Sequence, residues 1–208
     1  MFTYKAIKQQ KLTFISFEQK LKKEHQYLLK YFELNSTRIE QTINELKDSL
    51  IKEIDENPEE ETEVNYFYET QLSSIMSYYY HSSITLVHSF FENQLFQLCK
   101  LIQIETRSKL DISLLSSRDY IKSGFNYLTL TTNLSEDILN THKPRLGKFQ
   151  RIRNKIVHEN STYKNENDRQ KLFNDFGEQI EFNGIENKFF INSDSLPKEY
   201  LEKSMKFY

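Results

Sequence analysis

Apolar residues recur at every third or fourth position through the first quarter of the chain, and this spacing predicts a long amphipathic helix over residues 15–56. The apolar positions are Leu21, Leu28, Phe32, Ile39, Ile43, Leu46, Leu50 and Ile54. Thr37 and Glu40 also have the spacing of a capping box, which leaves open a second helix that starts inside this segment. Asn57-Pro58 and the glutamates after them are expected to end this arm and form a linker, since proline disfavours helix at the preceding residue.

Residues 64–106 predict a second long helix with a continuous apolar stripe. The stripe consists of Tyr80, Ile84, Val87, Phe91, Leu95, Leu98 and Ile102. Cys99 is in phase with apolar neighbours, so we expect it in the core. A polar stripe on another face of the same helix contains His81, Thr85, His88 and Glu92.

Shorter elements are predicted between this helix and the carboxy-terminal part of the chain. Residues 107–144 are the least regular part, with one short helix near residues 117–125. A helix at about 145–160 follows Pro144, because proline is expected to precede a helix start rather than to lie within the helix. Another helix is expected at about 165–180.

The carboxy-terminal part predicts a small β-hairpin and a final helix. Asn183-Gly184 is a preferred two-residue turn, and it separates two β-prone runs at 180–182 and 185–191. Asp194 or Ser195 can cap a helix that continues through Phe207.

These patterns predict an all-α fold: an up-down helical bundle with two long helices, a long N-terminal helical arm and a small C-terminal β-hairpin. A chain of 208 residues suits one domain. Its parts are the arm at 1–57, the core bundle at 64–180, and the hairpin with the last helix at 181–208. Sixteen Phe and thirteen Tyr supply large buried areas, and four Gly with three Pro leave few places to turn.

Composition narrows the classes of function. A single cysteine excludes an intrachain disulfide and a cysteine-rich zinc site. No run is apolar over the length of a bilayer, and the amino terminus lacks a signal-peptide core, so we expect a cytoplasmic protein with no membrane partner. A net charge of −2 gives no global attraction to nucleic acid, so RNA binding would require a local basic cluster.

The segment Arg153-Asn154-Lys155-Ile156-Val157-His158 is the most informative one for function. On a helix with about 100° per residue, one side carries Phe149, Ile152 and Ile156, which are expected to face the core. The opposite side carries Arg151, Asn154 and His158, with Arg153 at its border. A lone histidine is usually structural, but a fixed cation, an amide and an imidazole together suffice to cleave RNA without a metal.

Basic residues are concentrated just before the motif histidine, whereas acidic residues cluster elsewhere. These basic residues are Lys143, Arg145, Lys148, Arg151, Arg153 and Lys155. A charged run is most often a solvated helix face. Its position beside the motif favours phosphate binding, for which the candidates are Arg145, Lys148, Arg151 and Lys155.

Arg153, Asn154 and His158 resemble, in order, the R-x4-6-H signature of HEPN domains, in which a polar residue, often Asn, follows the Arg. The resemblance covers roughly residues 65–180, because HEPN domains also place a long helix with aromatic and acidic residues upstream of the motif helix. It implies a metal-independent endoribonuclease without a cofactor. One departure is Asn160, which lies where related toxins frequently carry a Tyr.

The mechanism expected of these residues is attack of an RNA 2′-hydroxyl on the adjacent phosphodiester. His158 would move the protons, Arg153 would hold the phosphate, and Asn154 would orient the imidazole or the phosphate. Arg151 is an alternative anion clamp. His88 or Glu92 can support the motif if their helix packs against it.

The resemblance also implies partners and a biological setting. HEPN ribonucleases typically form homodimers in which two motifs share one cleft, and this would explain Val157 as an apolar residue on a polar face. Small HEPN proteins are commonly toxins of toxin–antitoxin pairs or antiviral defence effectors. An antitoxin or another defence protein is therefore an expected partner beside the RNA substrate.

Three alternatives stay open at this stage. The chain can be a non-catalytic HEPN-like module that binds a nucleotide or a protein. It can also be a plain helical bundle in which the motif occurs by chance. His81, His88 and Glu92 suggest a metal site, but three residues on one helix need a fourth ligand from elsewhere, and a hydrogen-bonded stripe at a helix interface is the stronger interpretation.

Overall fold

The computed structural model describes residues 13–115, 119–133 and 136–208. Over these ranges the chain forms six α-helices and one small antiparallel sheet, which confirms the predicted all-α class with two long helices and a C-terminal hairpin. The helices are α1 Phe14–Glu56, α2 Glu61–Thr106, α3 Tyr120–Thr131, α4 Glu136–Glu159, α5 Glu166–Phe176 and α6 Ser195–Met205. The strands are β1 Ile180–Asn183 and β2 Lys188–Ile191.

Helix α1 begins with a capping box at Thr13. The Thr13 hydroxyl accepts from the backbone N–H of Ser16 at 3.2 Å, and the Ser16 hydroxyl accepts from the backbone N–H of Thr13 at 2.9 Å. A second helix start at Thr37 is wrong, because α1 continues unbroken and the Thr37 hydroxyl donates to the carbonyl of Glu33 within it. Local hydrogen bonding inside a helix has replaced the predicted cap.

The connection between the two long helices is shorter than predicted. A single 3₁₀ turn, Pro58–Glu60, separates them, and α2 begins at Glu61 rather than near residue 64. Glu61 and Glu63 lie in the first turn of α2, where the positive end of the helix dipole stabilises carboxylates. The acidic run that suggested a linker therefore serves as the start of a helix.

Helix α2 is central to the bundle and packs against α1, α3, α4 and α6. Its predicted apolar stripe is confirmed: Ile84, Val87, Phe91, Leu95 and Ile102 are buried, and Tyr80 and Leu98 pack against them. Cys99 is also buried, as predicted. At the crossing with α3, a Cβ on Gly124 would lie 2.5 Å from the Leu95 side chain, so only glycine permits this close approach.

Two helix boundaries differ from the sequence prediction. The short helix expected near 117–125 is α3, which extends to Thr131, and residues 117 and 118 lie outside the described ranges. Helix α4 begins at Glu136 and contains Pro144, which was expected to precede it. Proline removes one backbone hydrogen bond and crowds the carbonyl of residue i−4, here Asn140, whose exposed position lets solvent satisfy that carbonyl.

The hairpin is present, but its predicted two-residue turn is wrong. Asn183 pairs with Lys188, so the loop holds four residues, 184–187. The side-chain oxygen of Asn183 accepts from the backbone N–H groups of Ile185 and Glu186 at 2.9 and 3.2 Å, which stabilises this wider loop. Asn187 has a φ of 52° and closes it in the left-handed region.

The carboxy-terminal helix forms part of the core. Asp194 is the N-cap of α6, although its side chain bonds to Lys198 and Ser36 rather than capping the helix. Leu196, Tyr200 and Leu201 are fully buried against α2 and α4. No helix within the described ranges is both long and apolar enough to cross a bilayer.

Candidate functional site

The motif helix α4 presents the two faces that its sequence predicts. Phe149 and Ile152 are fully buried, and Ile156 packs partly buried against the same core. On the other side Arg151 and His158 are exposed, and Asn154 is half-buried. The core side of α4 therefore fixes the direction in which the motif residues project.

The structure brings Arg153, Asn154 and His158 together. Nη1 of Arg153 donates to Oδ1 of Asn154 at 3.0 Å, and the same nitrogen lies 3.4 Å from Nε2 of His158. A guanidinium has no acceptor, so Nε2 accepts in this contact and the proton of the neutral imidazole is assigned to Nδ1. The arrangement thus holds the basic lone pair of His158 beside a fixed positive charge.

The guanidinium of Arg153 retains binding capacity. Within the described part of the chain it has no carboxylate partner, and its Nε is buried without a hydrogen-bond partner. An unpaired donor on a half-buried cation is costly unless a ligand satisfies it. A phosphate oxygen is the acceptor that a guanidinium fork binds best.

Arg145, by contrast, is occupied within the fold. Its Nε and Nη2 donate to the two oxygens of Glu199 at 2.8 and 2.6 Å, and Nη1 donates to the carbonyl of Asp175 at 2.6 Å. Its guanidinium also lies over the rings of Phe149 and Phe176. These contacts tie α4 to α5 and α6, so Arg145 is better explained by folding than by phosphate binding.

Lys148 and Arg151 share one carboxylate. Both contact Asp175, with Nζ of Lys148 at 3.1 Å, and the Asp175 side chain is only 11% exposed. The Arg151 side chain stays 47% exposed, so it can still contact a ligand. The shared carboxylate offsets part of their positive charge.

Lys155 points away from the motif. Its side chain is 7% exposed, and Nζ lies 2.6 Å from Asp168 and 3.2 Å from Glu159. Burial opposes the effect, but hydrogen bonds from Lys155 and from the backbone of Lys164 hold the pKa of Asp168 below its usual value. Lys155 is therefore a buried structural cation that links α4 to α5.

The side chains of His88 and Glu92 form a polar row with Tyr200, a residue of α6 that the sequence did not suggest. Nε2 of His88 lies 3.2 Å from Oε1 of Glu92, and Nδ1 lies 2.7 Å from the hydroxyl of Tyr200. His88 and Tyr200 are essentially inaccessible to solvent. Burial and the Glu92 charge raise the pKa of Tyr200 well above its usual value, and Arg153 partly opposes them.

His81 belongs to a different environment from His88, although the sequence places both on one stripe. Its Nδ1 is 3.2 Å from the hydroxyls of Ser77 and Ser161, and its Nε2 is buried without a partner in the described ranges. Burial lowers the pKa of His81 to about 4, so the ring is neutral at physiological pH. It lines a cleft of about 450 Å³ between α2, the hairpin and the loop after α4.

The loop after the motif helix has strained backbone. Asn160 and Ser161 adopt φ angles of 49° and 59°, in the left-handed region that disfavours side chains with a Cβ. The backbone N–H of Ser161 donates to the carbonyl of Lys155 at 2.9 Å and so ends α4. The motif histidine consequently lies in the last turn of the helix.

In the described residues, no group of three or more His, Cys, Asp or Glu side chains is placed to hold a metal ion. The polar stripe on α2 divides between two hydrogen-bonded environments, one at His81 and one at His88 and Glu92. Comparisons of the chain with protein-family models, with curated protein sequences and with solved structures gave no match. The HEPN resemblance therefore depends on the motif and its position in the bundle.

Proposed function

We propose that this protein is a metal-independent endoribonuclease of HEPN type. One observation carries the proposal: Nη1 of Arg153 joins Oδ1 of Asn154 to Nε2 of His158 at the exposed side of a core helix. These residues supply a phosphate-binding cation and a proton-transfer group within one cluster, without requiring a metal.

In the proposed reaction, Nε2 of His158 takes the proton of an RNA 2′-hydroxyl, and the 2′-oxygen attacks phosphorus. The bond from phosphorus to the 5′-oxygen breaks, and this oxygen takes a proton from an imidazolium. The products are a 2′,3′-cyclic phosphate and a 5′-hydroxyl. Arg153 leaves Nε2 and binds the phosphate oxygens, on which negative charge increases in the transition state.

A homodimer would provide separate histidines for the two proton transfers. Val157 is 46% exposed, and Leu86 on α2, which is 37% exposed, lines a surface depression with Ile156, so apolar surface lies near the motif. A two-fold axis there would place two copies of His158 in one cleft, with one acting as base and the other as acid. A toxin or antiviral defence effector, held inactive by an antitoxin or a defence partner, is the biological role proposed with this activity.

The test is cleavage of a mixed RNA pool in EDTA, with the product ends analysed and the oligomeric state measured by sedimentation. We expect cyclic phosphate ends from the wild-type protein, and about a 10³-fold loss of rate in His158→Ala. Arg38→Ala, on the exposed face of α1, is the control and should cleave normally. Products with 3′-hydroxyl ends, or undiminished cleavage by His158→Ala, would contradict the proposal.

A non-catalytic binding module is the second candidate, and two observations favour it. Arg145, Lys148 and Lys155 are bound to carboxylates, which weakens the electrostatic case for RNA. Tyr66 and Phe67 near the far end of the α1–α2 hairpin are 75% and 70% exposed, as in a protein-docking surface. Wild-type protein that forms a dimer and leaves the RNA pool intact would support this candidate.

A further inference from the structure

We infer that one exposed face of α2, together with the loop of the β-hairpin, is a docking surface for a basic segment of a partner protein. Four exposed apolar side chains mark this docking surface: Tyr66, Phe67, Tyr78 and Ile185. The inference goes beyond the proposed ribonuclease activity, because it depends on the shape and charge of the surface and not on RNA cleavage.

The docking surface begins on a part of the two long helices that extends beyond the core. The last buried residue of α1 is Phe32, and the first one of α2 is Ser77. Residues 33–56 and 61–76 therefore form a two-helix extension without a buried side chain. At 1.5 Å per residue, its α1 part is ~36 Å long. Because the extension adds no buried side chain to the core, folding does not explain the aromatic residues exposed on it.

Tyr66 joins two depressions on this surface. One, of about 640 Å³, lies at the end of the two-helix extension and is lined by Val64 and Phe67. The other is the cleft of about 450 Å³ between α2 and the β-hairpin, which is lined by Tyr78 and Ile185. Tyr66 lines both, and Ile185 is 96% exposed. Single apolar residues are normal on a surface, whereas a series along connected depressions indicates a binding site.

Acidic side chains border both depressions. Glu53, Glu60 and Glu63 lie at the first, and Glu69 and Glu186 at the second. Glu186 pairs with a lysine at 2.8 Å, but the other four have no ion-pair partner among the described residues. Residues 38–63 contain ten carboxylates and three cations, whereas the whole chain has a net charge of −2. The negative charge is therefore concentrated where the docking surface begins.

The length and the charge of the surface identify the class of occupant. Tyr66 and Tyr78 are twelve residues apart on α2, a distance of ~18 Å that is too long for one small molecule. The carboxylates would repel an RNA strand, and a second copy in a two-fold contact would bring the same carboxylates against them. A protein segment with Lys and Arg among apolar residues complements both the carboxylates and the exposed rings.

Selection from a library of random peptides tests the inference on the full-length protein. Parallel selections use the wild type and Tyr66→Ser/Phe67→Ser, in which two exposed apolar side chains of the docking surface are removed. We expect peptides with Lys and Arg among apolar residues to be enriched on the wild type and not on this variant. Tyr27→Ser/Leu34→Ser is the matched control, since these residues of α1 are 60% and 63% exposed and line neither depression. It should enrich the same peptides as the wild type.

Synthetic copies of the enriched peptides then separate charge from apolar contact. Their affinity, measured by fluorescence anisotropy, should fall about tenfold in Glu60→Lys/Glu63→Lys and should decrease with added salt. The same peptides should bind His158→Ala as tightly as the wild type. Failure of the proposed ribonuclease function is therefore distinguishable from failure of this inference.

Three results would overturn the inference. The first is a wild-type selection that enriches no peptides or only acidic ones. The second is equal enrichment of the same peptides on the wild type and on Tyr66→Ser/Phe67→Ser. The third is a wild-type dimer in sedimentation that this double variant no longer forms, which would assign the surface to a second copy of the chain.

Discussion

The polar side chains around α4 form two sets that differ in their partners. Arg153, Asn154 and His158 are at least partly accessible and bond to one another. In the paired set each cation faces a carboxylate, as Arg145 faces Glu199 and Lys155 faces Asp168. Similar residues on one helix thus differ in their partners, and the proposed function assigns stabilisation to the paired set and chemistry to the accessible one.

The largest expected effect comes from the accessible set. Arg153→Ala should reduce the rate of RNA cleavage about 10²- to 10³-fold, because it removes the cation that stabilises the developing phosphate charge. Its effect on the free energy of unfolding should stay within about 1 kcal/mol, because no described carboxylate loses a partner. Cleavage kinetics and urea unfolding of the same preparation measure both quantities.

Arg151→Ala tests whether the loss of any positive charge near the motif is enough to lower the rate of RNA cleavage. This residue lies on the same exposed side, but Asp175 already offsets its charge. A loss of less than about tenfold is expected, since removing an exposed, paired cation weakens phosphate binding only modestly. If Arg151→Ala and Arg153→Ala were equally inactive, the distinction between the two sets would be wrong.

Substitutions in the paired set should lower stability and leave the rate of RNA cleavage nearly unchanged. Arg145→Ala removes a two-pronged ion pair with Glu199, a hydrogen bond to the carbonyl of Asp175 and two ring contacts, so we expect about 2–3 kcal/mol lower stability. The remaining folded protein should cleave RNA at nearly the wild-type rate per molecule. Arg38→Ala should change stability by less than about 0.5 kcal/mol. An inactive but fully stable Arg145→Ala protein would move Arg145 into the accessible set.

The sequence predicted the accessible set better than the paired one. Helical periodicity alone places Asn154 and His158 on one side of a core helix with Arg153 at its border, because that pattern is local. The partners of the paired set come from distant parts of the chain, as Glu199 does for Arg145, and no local pattern reports such contacts. Tyr200 was missed for this reason, since its spacing in α6 fits a core residue and only the fold places its hydroxyl on His88.

The helix boundaries show the same division between local and tertiary information. The apolar stripe on α2 was predicted because the residues that face the core recur in the sequence with the period of the helix. Pro144 inside α4 was not, since proline normally marks a helix start and only the structure shows that Asn140, whose carbonyl loses its helical partner, is exposed. The four-residue hairpin loop likewise depends on side-chain bonds of Asn183 that the Asn-Gly pair alone does not reveal.

The last expected effect is a pH dependence of stability that reports on His81, which is partly buried. Burial holds the pKa of folded His81 near 4, below the value of about 6.5 expected in the unfolded chain. The unfolded state therefore binds a proton more readily between these values, so the contribution of His81 to stability is complete above about pH 6.5 and declines as the pH falls towards 4. The loss should amount to about 3 kcal/mol, and urea unfolding across this range measures it. His81→Gln should flatten the curve, because it removes this titrating ring. The lowered pKa values of Asp168 and Glu199 add acid sensitivity only at lower pH, since their stabilisation is lost as these carboxylates become protonated. A stability curve that His81→Gln does not alter would show that His81 is accessible to protons in the folded protein and belongs with the accessible set.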